Sequence, residues 1–179
     1  MKLHLGCGKR YLEGFIHIDI EDFEHIDYKS SINDLNMIND ESCDLIYASH
    51  VLEYFNKKEA DIVLNEWNKK LKNGGILRLA VPNLESLIQI YNQTKSISNI
   101  LGPLYGKWTV GSEDIYHKTV YDSNTLKAKL EKNGFHDIQK WDWRKELPKN
   151  YDDHSRAYFP HMDIESGIHI SLNLECTKT

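Results

Sequence analysis

The sequence predicts an α/β protein built on one doubly wound, mostly parallel sheet of about seven strands that ends in an antiparallel hairpin. Three features predict it. Residues 3–19 (Leu-His-Leu-Gly-Cys-Gly-Lys-Arg-Tyr-Leu-Glu-Gly-Phe-Ile-His-Ile-Asp) run from a short apolar strand through a Gly-x-Gly turn at Gly6 and Gly8 to a second apolar strand ending on Asp19. Strand and helix signals then alternate along the chain, with no repeat, low-complexity tract or Pro/Gly/Ser linker between them. Residues 167–178 close the chain with a strict alternation. Ile168, Ile170, Leu172, Leu174 and Cys176 fall on one face and His169, Ser171, Asn173, Glu175 and Thr177 on the other, which predicts a half-buried strand.

In chain order, residues 2–5 and 15–18 read as the first two strands, with a weaker third at 26–28 and a buried strand at 43–48. Ala60, Val63, Leu64, Trp67 and Leu71 recur at helical spacing and predict a helix over 57–72, stopped by Asn73-Gly74-Gly75. Residues 76–81 form the next strand. Pro82-Asn83 opens a helix with Leu84, Leu87, Ile88 and Tyr91 on one face and Asn83 as its N-cap. Residues 96–118 have weak periodicity and read as a loop or short helices. A helix over 122–133 ends at Gly134, and 136–143 is a strand. Residues 144–166 are irregular, but their aromatic and histidine content predicts a packed loop rather than a plain one. The last strand follows the 136–143 strand closely enough to pair antiparallel with it.

The bulk numbers exclude several function classes. A chain of 179 residues, 40% hydrophobic and 27% charged, fits one globular domain over 1–179 with a real core. A net charge of −5 argues against nucleic acid as a partner. No apolar run approaches a membrane span, and no basic amphipathic stretch suits a lipid surface. The amino terminus enters a strand at once, so no signal peptide is expected. Cys7, Cys43 and Cys176 have neither disulfide nor zinc spacing, which fits a reducing cytoplasm and no metal.

Four segments then stand in a telling order. These are Leu5-Gly6-Cys7-Gly8, His17-Ile18-Asp19, residues 42–54 (Ser-Cys-Asp-Leu-Ile-Tyr-Ala-Ser-His-Val-Leu-Glu-Tyr) and residues 71–77 (Leu-Lys-Asn-Gly-Gly-Ile-Leu). They resemble the glycine loop, the ribose-binding acid, the fourth-strand motif and the turn into strand five of class I S-adenosylmethionine-dependent methyltransferases. The chain looks closest to the compact type-11 kind. Gly134-Phe135 and the terminal hairpin fit the family's Rossmann-like seven-stranded sheet. The resemblance implies S-adenosylmethionine as cofactor, S-adenosylhomocysteine as product, and a small molecule or glycan precursor as acceptor. Two departures matter. The short Gly6–Asp19 interval leaves little or no room for the first crossover helix, and the helices that usually precede strand one are missing. Residues 96–118, residues 144–166 or a second subunit, as in a homodimer, must then cover that side of the sheet.

The resemblance also implies site residues. Asp19 would accept from the ribose hydroxyls, with Ile20 beside it, while Leu5, Gly6, Cys7 and Gly8 let the backbone approach the cofactor. Asp34 and Leu35 fall where adenine contacts follow strand three. Ala48, Ser49 and Glu53 lie at the methionine end. His50 and His117 are the candidate general bases, each a residue type that can take a proton from an O or N acceptor. Tyr116, His154, Arg156 and His161 are the acceptor-binding candidates.

Each of these residues has a plainer reading as turn, cap or packing residue, and three other functions stay open. One is a cofactor-binding relative without catalysis. A second is a nicotinamide-dependent oxidoreductase or epimerase, which wants a third glycine opening a helix for a pyrophosphate. The third is a metal-dependent hydrolase using Asp152, Asp153, His154, His161 and Asp163, whose donor types suit a metal but whose spacing matches no known pattern.

Overall fold

The computed structural model describes residues 1–179. Its elements in chain order are β1 (Lys2–Leu5), β2 (Ile16–Asp19), β3 (Tyr28–Lys29), β4 (Cys43–Ser49), α1 (Lys57–Lys70), β5 (Leu71–Pro82), α2 (Leu84–Thr94), α3 (Leu101–Tyr105), β6 (Lys107–Val110), β7 (Glu113–Tyr116), α4 (Ser123–Lys132), β8 (Phe135–Lys140), α5 (Trp143–Glu146), β9 (Tyr158–Phe159), β10 (Ile168–His169) and β11 (Ser171–Lys178). Seven strands form one sheet in the order β3-β2-β1-β4-β5-β11-β8. The pairs from β3 to β5 are parallel, and β11 runs antiparallel to both β5 and β8. β9 with β10 and β6 with β7 make two separate antiparallel ribbons.

The pleat sorts the two faces. Leu3, Leu5, Ile46, Ala48, Leu77, Leu79, Leu172 and Leu174 point to one side and share the main core with Ala60, Val63, Leu64 and Trp67 of α1 and Leu126 and Leu130 of α4. α1 starts at a full capping box, in which Asn56 accepts from Lys58 N and Glu59 N while Glu59 returns a bond to Asn56 N. The opposite face is aromatic and polar. There Tyr47 and Ala80 pack with Trp141, Trp143, Leu147 and Tyr151. No helix stands between β1 and β2, as the short Gly6–Asp19 interval predicts. The C-terminal segment around α5 takes the missing helix's place. Tyr151 Oη bonds His4 Nε2 at 3.2 Å, and Arg10 Nε donates to Asp152 O at 2.7 Å.

The structure corrects several expectations. Asn73-Gly74-Gly75 does not cap α1. The helix ends at Lys70, and these residues form an irregularity inside β5, between the Cys43–Leu71 and Leu45–Ile76 pairs. The buried face of α2 is Ser86, Leu87 and Ile90, leaving Ile88 and Tyr91 exposed. Residues 96–118 contain the β6–β7 hairpin as well as α3. The strand expected over 136–143 stops at Lys140 and gives way to α5. The first half of the final strand, Ser171 to Leu174, is buried on both faces, because Ser171 and Asn173 lie under the His154–Arg156 turn, while the alternation expected holds in its second half.

Candidate functional site

The carboxyl ends of β1, β2, β4 and β5 meet along one edge of the sheet, where open α/β sheets bind ligands. At the end of β1, Gly6 has φ +61° and Gly8 has φ +55°, a region that L side chains rarely adopt. A β-carbon on Gly6 would also collide with Val51, so the turn needs glycine there for close approach as well as for its dihedrals. Asp19, at the end of β2 and 7% exposed, organises the turn. Its Oδ2 accepts from Gly8 N at 2.8 Å and its Oδ1 from Glu21 N at 2.9 Å. Each carboxylate oxygen thus takes one backbone N–H and keeps a further lone pair. Ile20 beside it is exposed.

Four of the residues placed with the cofactor, Leu5, Cys7, Leu35 and Ala48, are turned inward. Leu5 and Leu35 are wholly buried in the main core, so Leu35 presents no side chain to an adenine ring. Asp34 lies on the surface and accepts from Asn36 Nδ2 at 2.6 Å, a local turn contact. The Cys7 thiol is buried 3.9 Å from His25 Nε2, and burial, aided by the Asp19 charge, pushes it up to about 12. It is a packing group, inert as a nucleophile. Ala48 is buried, and the buried Ser49 hydroxyl has no hydrogen-bond partner.

The next cluster brings sequence-distant residues together. His50 leaves β4 in a left-handed conformation (φ +54°), held by its N–H to Ala80 O at 2.8 Å. Its Nδ1 lies 3.3 Å from Glu53 Oε1, and its Nε2 lies 2.9 Å from Ser171 Oγ. From the other side His117 places Nε2 3.8 Å from the same Glu53 oxygen while its Nδ1 meets Pro103 O at 3.1 Å. The Lys118 and Thr119 N–H groups donate to the Glu53 carbonyl, which pins the His117 loop to the turn after β4. The Tyr54 ring meets His117 edge-on at 4.8 Å. Glu53 is 1% exposed, yet neither carboxylate oxygen receives a hydrogen bond. Burial lowers the His117 pKa, outweighing the Glu53 charge that raises it. The sequence resemblance puts Glu53 with the cofactor, whereas its carboxylate here faces the two histidines.

The acceptor-side candidates are less united. The His154 ring lies 5.4 Å from the His50 ring, so the two belong to one neighbourhood. Tyr116 is exposed on β7, 5.2 Å from Tyr105. Arg156 does not reach toward an anion. Its guanidinium lies 4.5 Å from the Trp143 ring centre and donates to Tyr151 O, holding the C-terminal segment together. His161 is exposed at the tip of its loop.

Sequence reasoning missed the residues behind His50. Ser171 Oγ donates to Asn173 Oδ1 at 2.7 Å, and Asn173 Nδ2 donates to Ser155 O at 3.0 Å. Ser155 Oγ donates to Asp153 Oδ1 at 2.5 Å, and Asp153 Oδ2 accepts from Tyr47 Oη. The signal was the polar side of the last strand, read as partly solvated. Asp153 is spent inside this network and Asp163 bonds Ser166, and no group of three or more His, Cys, Asp or Glu is arranged to hold a metal. A cavity of about 200 Å³ lies on the aromatic face beside Tyr47 and Arg78. It is away from the edge just described, and Arg78 is already paired with Glu146 and Glu175.

Comparison with known proteins bears on the fold that carries this edge. Residues 13–79 match a family model described as a methyltransferase domain. That stretch takes in Asp19, β4, the His50–Glu53 turn and most of β5. Among solved structures, a SAM-dependent methyltransferase from Archaeoglobus fulgidus aligns over 99% of this chain and 85% of its own, at 18% identity and a TM-score of 0.59. A SAM-dependent methyltransferase from Methanosarcina mazei aligns over 99% and 91%, at 14% and 0.58. The 1,6-didemethyltoxoflavin-N1-methyltransferase of Burkholderia thailandensis, solved with its substrate and S-adenosylhomocysteine, aligns over 99% and 70%, at 12% and 0.57. No curated protein sequence matches the chain.

Proposed function

We propose, because residues 13–79 match the methyltransferase domain model and the whole chain carries the class I S-adenosylmethionine-dependent methyltransferase fold, that it methylates a small-molecule or glycan-precursor acceptor as one unit over 1–179. The observation that carries this reading is the convergence, on one sheet edge, of the Gly6–Gly8 turn, Asp19 and the Glu53–His50–His117 cluster. The residues present fit the cofactor. Asp19 has lone pairs to spare for ribose hydroxyls, exposed Ile20 offers an apolar wall, and the Ser49 hydroxyl lacks a partner. When bound, the cofactor supplies an electrophilic methyl group on a sulfonium. The chain's own work is to align the acceptor and to take its proton, contributions of about 10²–10⁴-fold for the base and more for alignment.

His117 is the better base of the two histidines. Its Nδ1 is anchored to a carbonyl, which can only accept, so in the neutral ring Nε2 is free to take a proton. His50 is held by Ser171 through Nε2 and turns Nδ1 toward Glu53. The decisive experiment is calorimetric titration with S-adenosylmethionine and S-adenosylhomocysteine, with NAD and zinc as controls. Micromolar binding of the first pair alone is expected. Its absence would overturn the proposal.

A further inference from the structure

The proton positions around Glu53 point to the chemical class of the acceptor. Asn173 donates its Nδ2 to a backbone carbonyl, so its Oδ1 must be the atom facing Ser171. Ser171 donates to that oxygen, and therefore accepts from His50 Nε2. The proton of a neutral His50 is thus committed to Ser171, leaving Nδ1 as a bare lone pair toward Glu53. His117 reaches the same state from the opposite direction, with its proton on Pro103 O and Nε2 bare. Burial disfavours the charged form of that ring, while the Glu53 charge favours it. The two ring nitrogens thus face the same Glu53 oxygen, Oε1, from 3.3 and 3.8 Å, and neither carboxylate oxygen receives a hydrogen bond. A buried charge without donors is costly.

Resting on the methyltransferase reading above, we propose that Glu53, His50 and His117 receive the ammonium form of a primary or secondary amine, and that this nitrogen is the methyl acceptor. A hydroxyl brings one donor and no charge to a site that lacks several donors and carries a negative charge. A carboxylate or phosphate brings no donor and is repelled. An ammonium group supplies two or three N–H donors and the compensating charge. One N–H proton passes to His117 Nε2, leaving an imidazolium beside Glu53. The freed nitrogen lone pair forms the new C–N bond as the carbon–sulfur bond breaks, its electron pair going to sulfur. The rim stays narrowly open, with the His50 and His117 side chains 11% and 7% exposed.

The test is titration of the full-length, cofactor-free protein with ethylammonium chloride, read by the ring ¹H–¹⁵N resonances of His50 and His117, with ethanol and sodium acetate as matched probes. Saturable shifts with ethylammonium alone are expected, with binding about tenfold weaker in Glu53→Gln and partly restored in Glu53→Asp. Intact ring resonances in the free variants show that they fold. No saturable shift at high millimolar concentration, an equal response to ethanol, or an undiminished response in Glu53→Gln would each overturn the proposal. Because no cofactor is present, these outcomes are independent of the calorimetric test of the methyltransferase reading.

Discussion

His50 combines a side chain the site needs with a backbone conformation that disfavours it. At φ +54° a residue with a β-carbon is strained by about 1 kcal/mol relative to glycine. Both His50→Gly and His50→Ala remove the imidazole, so their difference isolates the backbone. Chemical denaturation should find the glycine variant more stable by about 1 kcal/mol. Asp19 has two duties, tying Gly8 and Glu21 to β2 and facing the ligand edge. Asp19→Ala should weaken S-adenosylhomocysteine binding by about 1–3 kcal/mol, and unchanged calorimetric affinity in a folded variant would remove it from the ribose site. His117→Ala should leave that affinity intact and lower turnover; equal loss of both would assign His117 to structure. The glycine turn, Asp19, His50 and His117 were all legible in the sequence, because each sits at a strand end or just before a helix. The network that joins Ser171, Asn173 and Asp153 behind His50 was not, since it rests on fold contacts across more than a hundred positions of chain for the Ser171–His50 and Tyr47–Asp153 pairs.

At the scale of elements, local patterning worked where one face of an element meets one layer. α1 shows this: its buried apolar residues are Ala60, Val63, Leu64 and Trp67, as the spacing predicts. It failed for α2. That helix packs Leu87 and Ile90 against Ile100 and the β9–β10 ribbon, so the apolar Ile88 and Tyr91 remain outside. The β6–β7 hairpin was invisible because its strands are only four residues each and mostly exposed, too short for a periodicity to stand out. Its root nonetheless bears on the site. Gly106, at φ +44°, precedes β6, and a β-carbon there would collide with the His117 ring. Gly106→Ala should therefore act as a displaced His117. A lower melting temperature with reduced turnover and near-normal S-adenosylhomocysteine affinity is the expected result, read by calorimetry and initial rates.

For the whole molecule, the buried histidines set the response to acid. Burial, reinforced by the neighbouring His17 and His25, lowers His4 from its ordinary value to about 3. His17, His117 and His169 are lowered too, each chiefly by burial. In the unfolded chain these rings titrate near 6.5. Below that pH the unfolded state binds protons that the native state refuses, so stability falls as the solution becomes more acidic. For His4 the loss continues down to about pH 3, at up to about 1.4 kcal/mol per pH unit. Urea unfolding at pH 7, 5 and 4 should show that decline, and His4→Phe should flatten it.

The substitution of the C-terminal segment for a first crossover helix has a consequence for synthesis. β1 and β2 leave the ribosome early with one face bare. The groups that cover that face, Tyr151 over His4 and Asp152 on Arg10, are translated more than 140 residues later. A helix between β1 and β2 would have shielded those strands while the rest of the chain was still being made. Here the aromatic side of the sheet stays open until residues 141–169 emerge, which lengthens the time for which the nascent chain exposes an apolar surface.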